Sequence, residues 1–202
     1  MPTSQLIRWS GLSLMLGAIG TAVELLLHPA GETAQYVLEP VWGFAHWLGA
    51  FSWLLILFGL IGLYARVGEG IGRLGFVGFV MAVVGAALTA GTLMIGGGVL
   101  QPVIAAGAPH LLDLDGPFFT SWGFKLGGAL IGAGFVGLLL LAIALLRARA
   151  LSSLGSWLLI LLVPTAIVGV PLVLFLAPGL QKIGQALLGV WVGAGLLAWG
   201  YA

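Results

Sequence analysis

Glu24, His28, His46 and Lys125 are ionisable side chains inside or at the edge of runs that are otherwise apolar, and that setting gives each a chemical meaning. A charge in hydrocarbon is costly unless it is paired or wetted, so ionisable groups within a span mark ion pairs, proton relays or solute sites. Glu24 sits about a turn below the end of the first apolar run, and Lys125 lies at a similar depth in the fourth. Across a helical bundle the two can close an ion pair with His46 nearby, and Gln185 in the last run is a fourth polar group at comparable depth. The plainer alternative is a structural clasp, or a Lys125 that reaches along its own stem to the interface.

Imidazole adds two further chemistries. His46 can pass a proton near an unperturbed pKa of about 6.5, or ligate haem iron or a divalent metal. A bis-histidine haem needs a second histidine at matching depth, and the other two are His28 at the mouth of the first run and His110 in a loop. The loop from Pro109 to Pro117 gathers His110, Asp113 and Asp115, which together with His28, His46 or Glu32 make a candidate divalent site. Its Asp-x-Asp-Gly is only a fragment of a calcium loop, without the remaining acidic positions and the terminal glutamate. An interfacial histidine bonded to a neighbour, and a polar loop capping the fourth helix, are the corresponding structural readings.

Other chemistries are excluded. The chain has no cysteine, hence no disulfide, thiolate nucleophile or cysteine-ligated cluster. It lacks a phosphate-cradling glycine motif with its lysine, a His-Glu-x-x-His pair and a nucleophile elbow, so no enzyme of familiar type is expected. A net charge of +1 offers no electrostatic case for nucleic acid.

The elements that must position these residues follow from composition. Of 202 residues 61% are hydrophobic and 6% charged, and mean hydropathy is +1.20, the signature of a polytopic membrane protein whose main partner is the lipid bilayer. The apolar runs are too long for barrel strands and lack a two-residue alternation, so the expected fold is all-α, a single domain over residues 1–202. Six spans are expected, at 9–27, 41–63, 74–100, 121–146, 154–177 and 183–202. The first is expected to be retained, because its apolar run outlasts a signal peptide's and Leu27-His28-Pro29-Ala30 is a poor cleavage site.

Arg8, Arg66, Arg73, Arg147 and Arg149 fall on one side if the spans alternate, against Lys125 and Lys182 on the other. Basic flanks prefer the cytoplasm, so both termini are expected there, in a bacterial cytoplasmic membrane. Glu24, His28, His46, His110 and Lys125 then crowd the outer half. The chain also reads as three helical hairpins, with Trp42-Gly-Phe-Ala-His46 resembling Trp122-Gly-Phe-Lys125 and Ile183-Gly-Gln185 a looser copy. Gly128-x-x-x-Gly132 and Gly189-x-x-x-Gly193 are expected packing seams. Pro164 and Pro171 are expected to bend the fifth span.

Three functions fit this pattern. The first is a binding or transport protein for a small solute or a proton, with an outer-facing pocket built by Glu24, His46, Lys125 and Gln185. The second is a haem or metal redox subunit. The third is a structural or accessory subunit that docks with other membrane subunits.

Overall fold

In a computed structural model that describes residues 3–151, 153–164 and 181–201, every regular element is helical. Helix α1 spans Thr3–Leu27, a short α2 Ala34–Val37, and α3 Pro40–Val67. α4 covers Gly72–Gly91 and runs on through a π-helical stretch, Thr92–Leu100, into α5, Gln101–Gly107. A single turn at Pro117–Thr120 is α6, followed by α7, Trp122–Ala148, α8, Ser153–Pro164, and α9, Gln181–Tyr201. Among the described residues, four helical stretches are long and apolar enough to cross a membrane: Ser4–Leu27, Pro40–Gly70, Gly72–Gly107 and Trp122–Ala148.

The side chains face as a lipid solvent requires. Along α1, Leu12, Leu16, Ile19, Val23 and Leu26 are exposed, while Ser10, Leu14, Ala18, Thr21 and Glu24 are buried. Apolar outside and polar inside reverses the arrangement of a water-soluble helix, and inside a bundle is where polar groups in a membrane find partners.

The long helices pack as a ring, α1 on α3, α3 on α4, α4 on α7, α7 on α8, α8 on α9 and α9 back on α1. Close approaches fix the directions. Ser10 lies at Gly62 and Leu14 at Gly59, so α1 and α3 are antiparallel, and Gly11 against Gly200 with Leu25 against Gly189 sets α9 antiparallel to α1. The tightest seam joins α4 to α7 at Gly85 and Gly134, where a methyl group on either residue would meet the other's Cα. Only paired glycines allow backbones so near, and dispersion between such surfaces is what holds helices together in lipid.

Of the expected seams, Gly189 and Gly193 do lie on α1, against Leu25 and Ala18. Gly128 and Gly132 do not form one, because both face open space; α7 packs through Gly134 and Gly137 one to two turns further on. Of the proline pair, Pro171 lies outside the described residues, and Pro164 closes α8 with its side chain outside the described set.

The helix ends follow local chemistry. Pro40 occupies the first turn of α3, where its missing N–H costs nothing. The Ser121 Oγ accepts from the Phe124 N–H at 3.2 Å and starts α7. At the acidic end of the bundle, Val37, Trp42, Ala105 and Leu112 form a small core that ties the two long loops down. At the other end, Arg8 and Arg66 share one cleft, and Arg66, Ala148 and Ala150 line another.

Candidate functional site: an acid–imidazole cluster over a central cavity

Thr21, Glu24, His28 and Glu32 follow one another at intervals of three, four and four residues, so α1 and the turn that extends it present them along one face. Glu24, His28 and Thr21 are buried, at 3%, 6% and 2% exposure. Opposite them, Trp42 and His46 lie one turn apart on α3, both buried. The ring centroids of His28 and His46 are 4.9 Å apart, those of His28 and Trp42 5.1 Å, and those of Trp42 and His46 4.2 Å.

Both histidines are oriented by main-chain carbonyls. His46 Nδ1 lies 2.9 Å from the Trp42 oxygen and His28 Nδ1 2.8 Å from the Pro29 oxygen. A carbonyl only accepts, so each Nδ1 carries the proton, and in the neutral ring Nε2 carries the lone pair. His28 Nε2 stands 3.7 Å from Glu32 Oε1, and Gln101 Nε2 donates to Glu32 Oε2 at 3.3 Å. Burial holds the Glu32 carboxyl above its ordinary pKa, partly opposed by His28 and by the Gln101 hydrogen bond.

The π-helical stretch supplies the third wall. Its hydrogen bonds run from residue i to i+5, as the Gln101 N–H on the Gly96 oxygen shows. The donor for the Gly97 oxygen would be residue 102, a proline with no N–H. The Trp42 indole donates instead, at 2.8 Å. The apolar run stops at Leu100 yet the helix does not, and this arrangement lets it continue to Gly107 and carry Gln101 to Glu32. Gly97 in turn packs directly against the His46 ring. π segments recur at functional sites because they widen a helix where a partner must fit.

Below this cluster the helices line a half-open cavity of about 370 Å³. Thr21, Glu24, His28, Glu32 and Thr89 line it, with Trp53, Phe135, Leu93 and Leu188 among its apolar walls. Trp53 and Phe135 meet edge to face at 5.9 Å. Arg8, Arg66, Arg73, Lys125, Arg147 and Arg149 are all exposed. Among the described residues, then, no lysine or arginine neutralises Glu24 or Glu32, and the His28–Glu32 pair is the one ion pair seen.

The chain matches no protein-family model, no curated protein and no solved structure. What the site can do therefore rests on its own chemistry.

Of the residues singled out by sequence, Glu24 and His46 are buried at this end of the ring, and His28 joins them. Lys125 does not. It is exposed on the first turns of α7, where open space surrounds Gly123, Gly127 and Gly128, and no ion pair joins it to Glu24. The physical reason is the seam at Gly85 and Gly134, which brings only the later turns of α7 into contact with α4. Gln185 belongs to α9, and its side chain lies outside the described residues.

His110, Asp113 and Asp115 are exposed on the loop between α5 and α6, anchored by the buried Leu112 between them. They are separate from the buried histidines, and among the described residues no three His, Asp or Glu side chains gather in a way that could hold a metal ion. A haem iron held on both faces by imidazoles would keep their centroids about 6 Å apart at ordinary metal–nitrogen distances of about 2 Å. His28 and His46 are closer than that, in direct ring contact.

Residue patterning had not marked Thr21, Gln101, Gly97 or Trp42 as site residues. The spacing from Thr21 to Glu32 and the Gly-Gly-Gly run before Pro102 were the signals available.

Proposed function

We propose that the protein binds a proton or a small cation in the acid–imidazole pocket and acts as a transport-type membrane protein. One observation carries this reading: two carboxylates, Glu24 and Glu32, and the His28 imidazole line one half-open cavity, with the His46 ring packed on His28 and no described lysine or arginine beside them. A buried carboxylate without a cation is costly in a low-dielectric bundle, and a bound proton or cation is what offsets that cost. The His28–Glu32 contact is suited to exchange, because one proton can sit on either partner. The test is flux in proteoliposomes. Saturable proton or cation movement that is lost in Glu24→Gln and retained in Lys125→Met supports the reading. Its absence in the wild-type protein overturns it.

The same proposal includes the membrane arrangement: six spans grouped as three hairpins, both termini in the cytoplasm, and the pocket facing outward from a bacterial cytoplasmic membrane. The arginine-rich end opposite the acidic end supports it. Because the native chain has no cysteine, one introduced at Glu32 is a clean reporter. Labelling in intact cells is expected, and labelling only after permeabilisation would invert the orientation.

A further inference from the structure

We propose that the cavity is a site for primary alkylammonium compounds, with the ammonium held by Glu24 and the Thr21 hydroxyl and the alkyl chain lying against Trp53, Phe135 and Leu93. This rests on the cation reading above and names the class of cation.

The observation that goes beyond that reading is Thr21. Its Oγ1 is buried and has no hydrogen-bond partner. Three other hydroxyls on the long helices behave differently: Ser10 donates to the Leu6 oxygen at 2.8 Å, Ser52 to Leu48 at 2.7 Å and Thr89 to Gly85 at 2.8 Å. Bonding one turn back is the ordinary way for a helical hydroxyl to satisfy itself. Thr21 does not, and it lines the cavity one turn below Glu24.

A primary ammonium has three N–H donors and no acceptor, and it meets a wall of acceptors here, in the Glu24 carboxylate and the Thr21 oxygen. The rest of the lining excludes a fully hydrated ion as the whole occupant. Phe135, Leu93, Leu188 and Val192 offer only apolar surface and Trp53 a largely apolar indole, and the volume of about 370 Å³ lies at the lower end of the range for small-molecule sites, roughly 300–1,000 Å³. A cationic head with a short apolar body uses both halves of the cavity.

The experiment measures binding of n-hexylammonium to the full chain in nanodiscs by tryptophan emission, against free aqueous concentration, beside methylammonium, n-hexanol and hexyltrimethylammonium. Saturable binding of n-hexylammonium is expected, with methylammonium weaker by about fourfold for each methylene the cavity accepts. Hexanol should bind at least about tenfold more weakly, the loss a charge-assisted hydrogen bond commonly represents. The quaternary ion should also be weaker, since it has no N–H for Thr21. Thr89→Leu, which narrows the cavity, should weaken n-hexylammonium and spare methylammonium. The nearly isosteric Thr21→Val should erase the preference for primary over quaternary ammonium, and it keeps the test open if Thr89→Leu does not fold. Equal affinity for methylammonium and n-hexylammonium would overturn the alkyl site while leaving cation binding intact. Hexanol binding as tightly as n-hexylammonium would overturn both.

Discussion

Gly97 lies so close to the His46 imidazole that a methyl group at 97 would fall on the ring atoms Cδ2 and Nε2. The π-helical wall and the histidine are therefore one packed unit, and the position of the ring depends on the absence of a side chain opposite. Gly97→Ala should destabilise the protein by about 1–3 kcal/mol, the usual penalty for an added methyl in a filled interior. Gly127→Ala, at a position with open space around it, is the control and should be neutral or slightly stabilising. Thermal unfolding in detergent distinguishes them. Equal melting temperatures would mean the ring swings aside freely.

The same glycine carries a second dependence. Its carbonyl has lost a backbone donor to Pro102 and takes the Trp42 indole instead. Trp42→Phe keeps most of the aromatic volume and removes the N–H, leaving a buried acceptor unsatisfied at a cost of about 1–3 kcal/mol. Pro102→Ala restores a backbone N–H to that carbonyl, so the cost of Trp42→Phe should shrink in the Pro102→Ala background. A double-mutant cycle reads the coupling directly. Full additivity would show that the indole bond is incidental.

These two relationships mark where the sequence stops being legible. Apolar run length dictates helices: four of membrane length stand among the described residues, where the sequence reading expects six spans and puts Glu24 and His46 toward one end of them. It placed Lys125 in the bundle because depth can be counted along a chain. Which face of α7 turns inward cannot be counted that way: it is decided by where two glycines, Gly85 and Gly134, let backbones meet. The π stretch was equally hidden, since the widening depends on a tryptophan 55 residues earlier in the chain capping the carbonyl that Pro102 leaves bare. The face Thr21-Glu24-His28-Glu32 was readable from spacing alone.

Because Lys125 is exposed and Glu24 is buried, the two should behave as independent sites. Glu24→Gln should perturb stability or folded yield, Lys125→Met should change stability by less than about 0.5 kcal/mol, and the double variant should match the sum. Partial recovery in the double variant would restore an ion pair that the structure does not contain.

Glu32 gives the pH dependence its sign. Burial raises its carboxyl above the ordinary value of 4.5, more than His28 and Gln101 lower it. The folded state therefore binds this proton more tightly than the unfolded chain does. The stability Glu32 contributes is fully present below about pH 4.5, where both states are protonated, and is lost as pH rises through the elevated folded value. Glu32→Gln cannot ionise, so it should lack that loss. Its stability relative to the wild type should then rise between pH 4 and neutral pH, as read from thermal unfolding at each pH. Gln101→Met removes a hydrogen bond that favours the ionised carboxylate, so it should steepen the wild-type decline while leaving Glu32→Gln unaffected. A Glu32→Gln curve parallel to the wild type would show that water keeps this carboxyl at its ordinary affinity for protons.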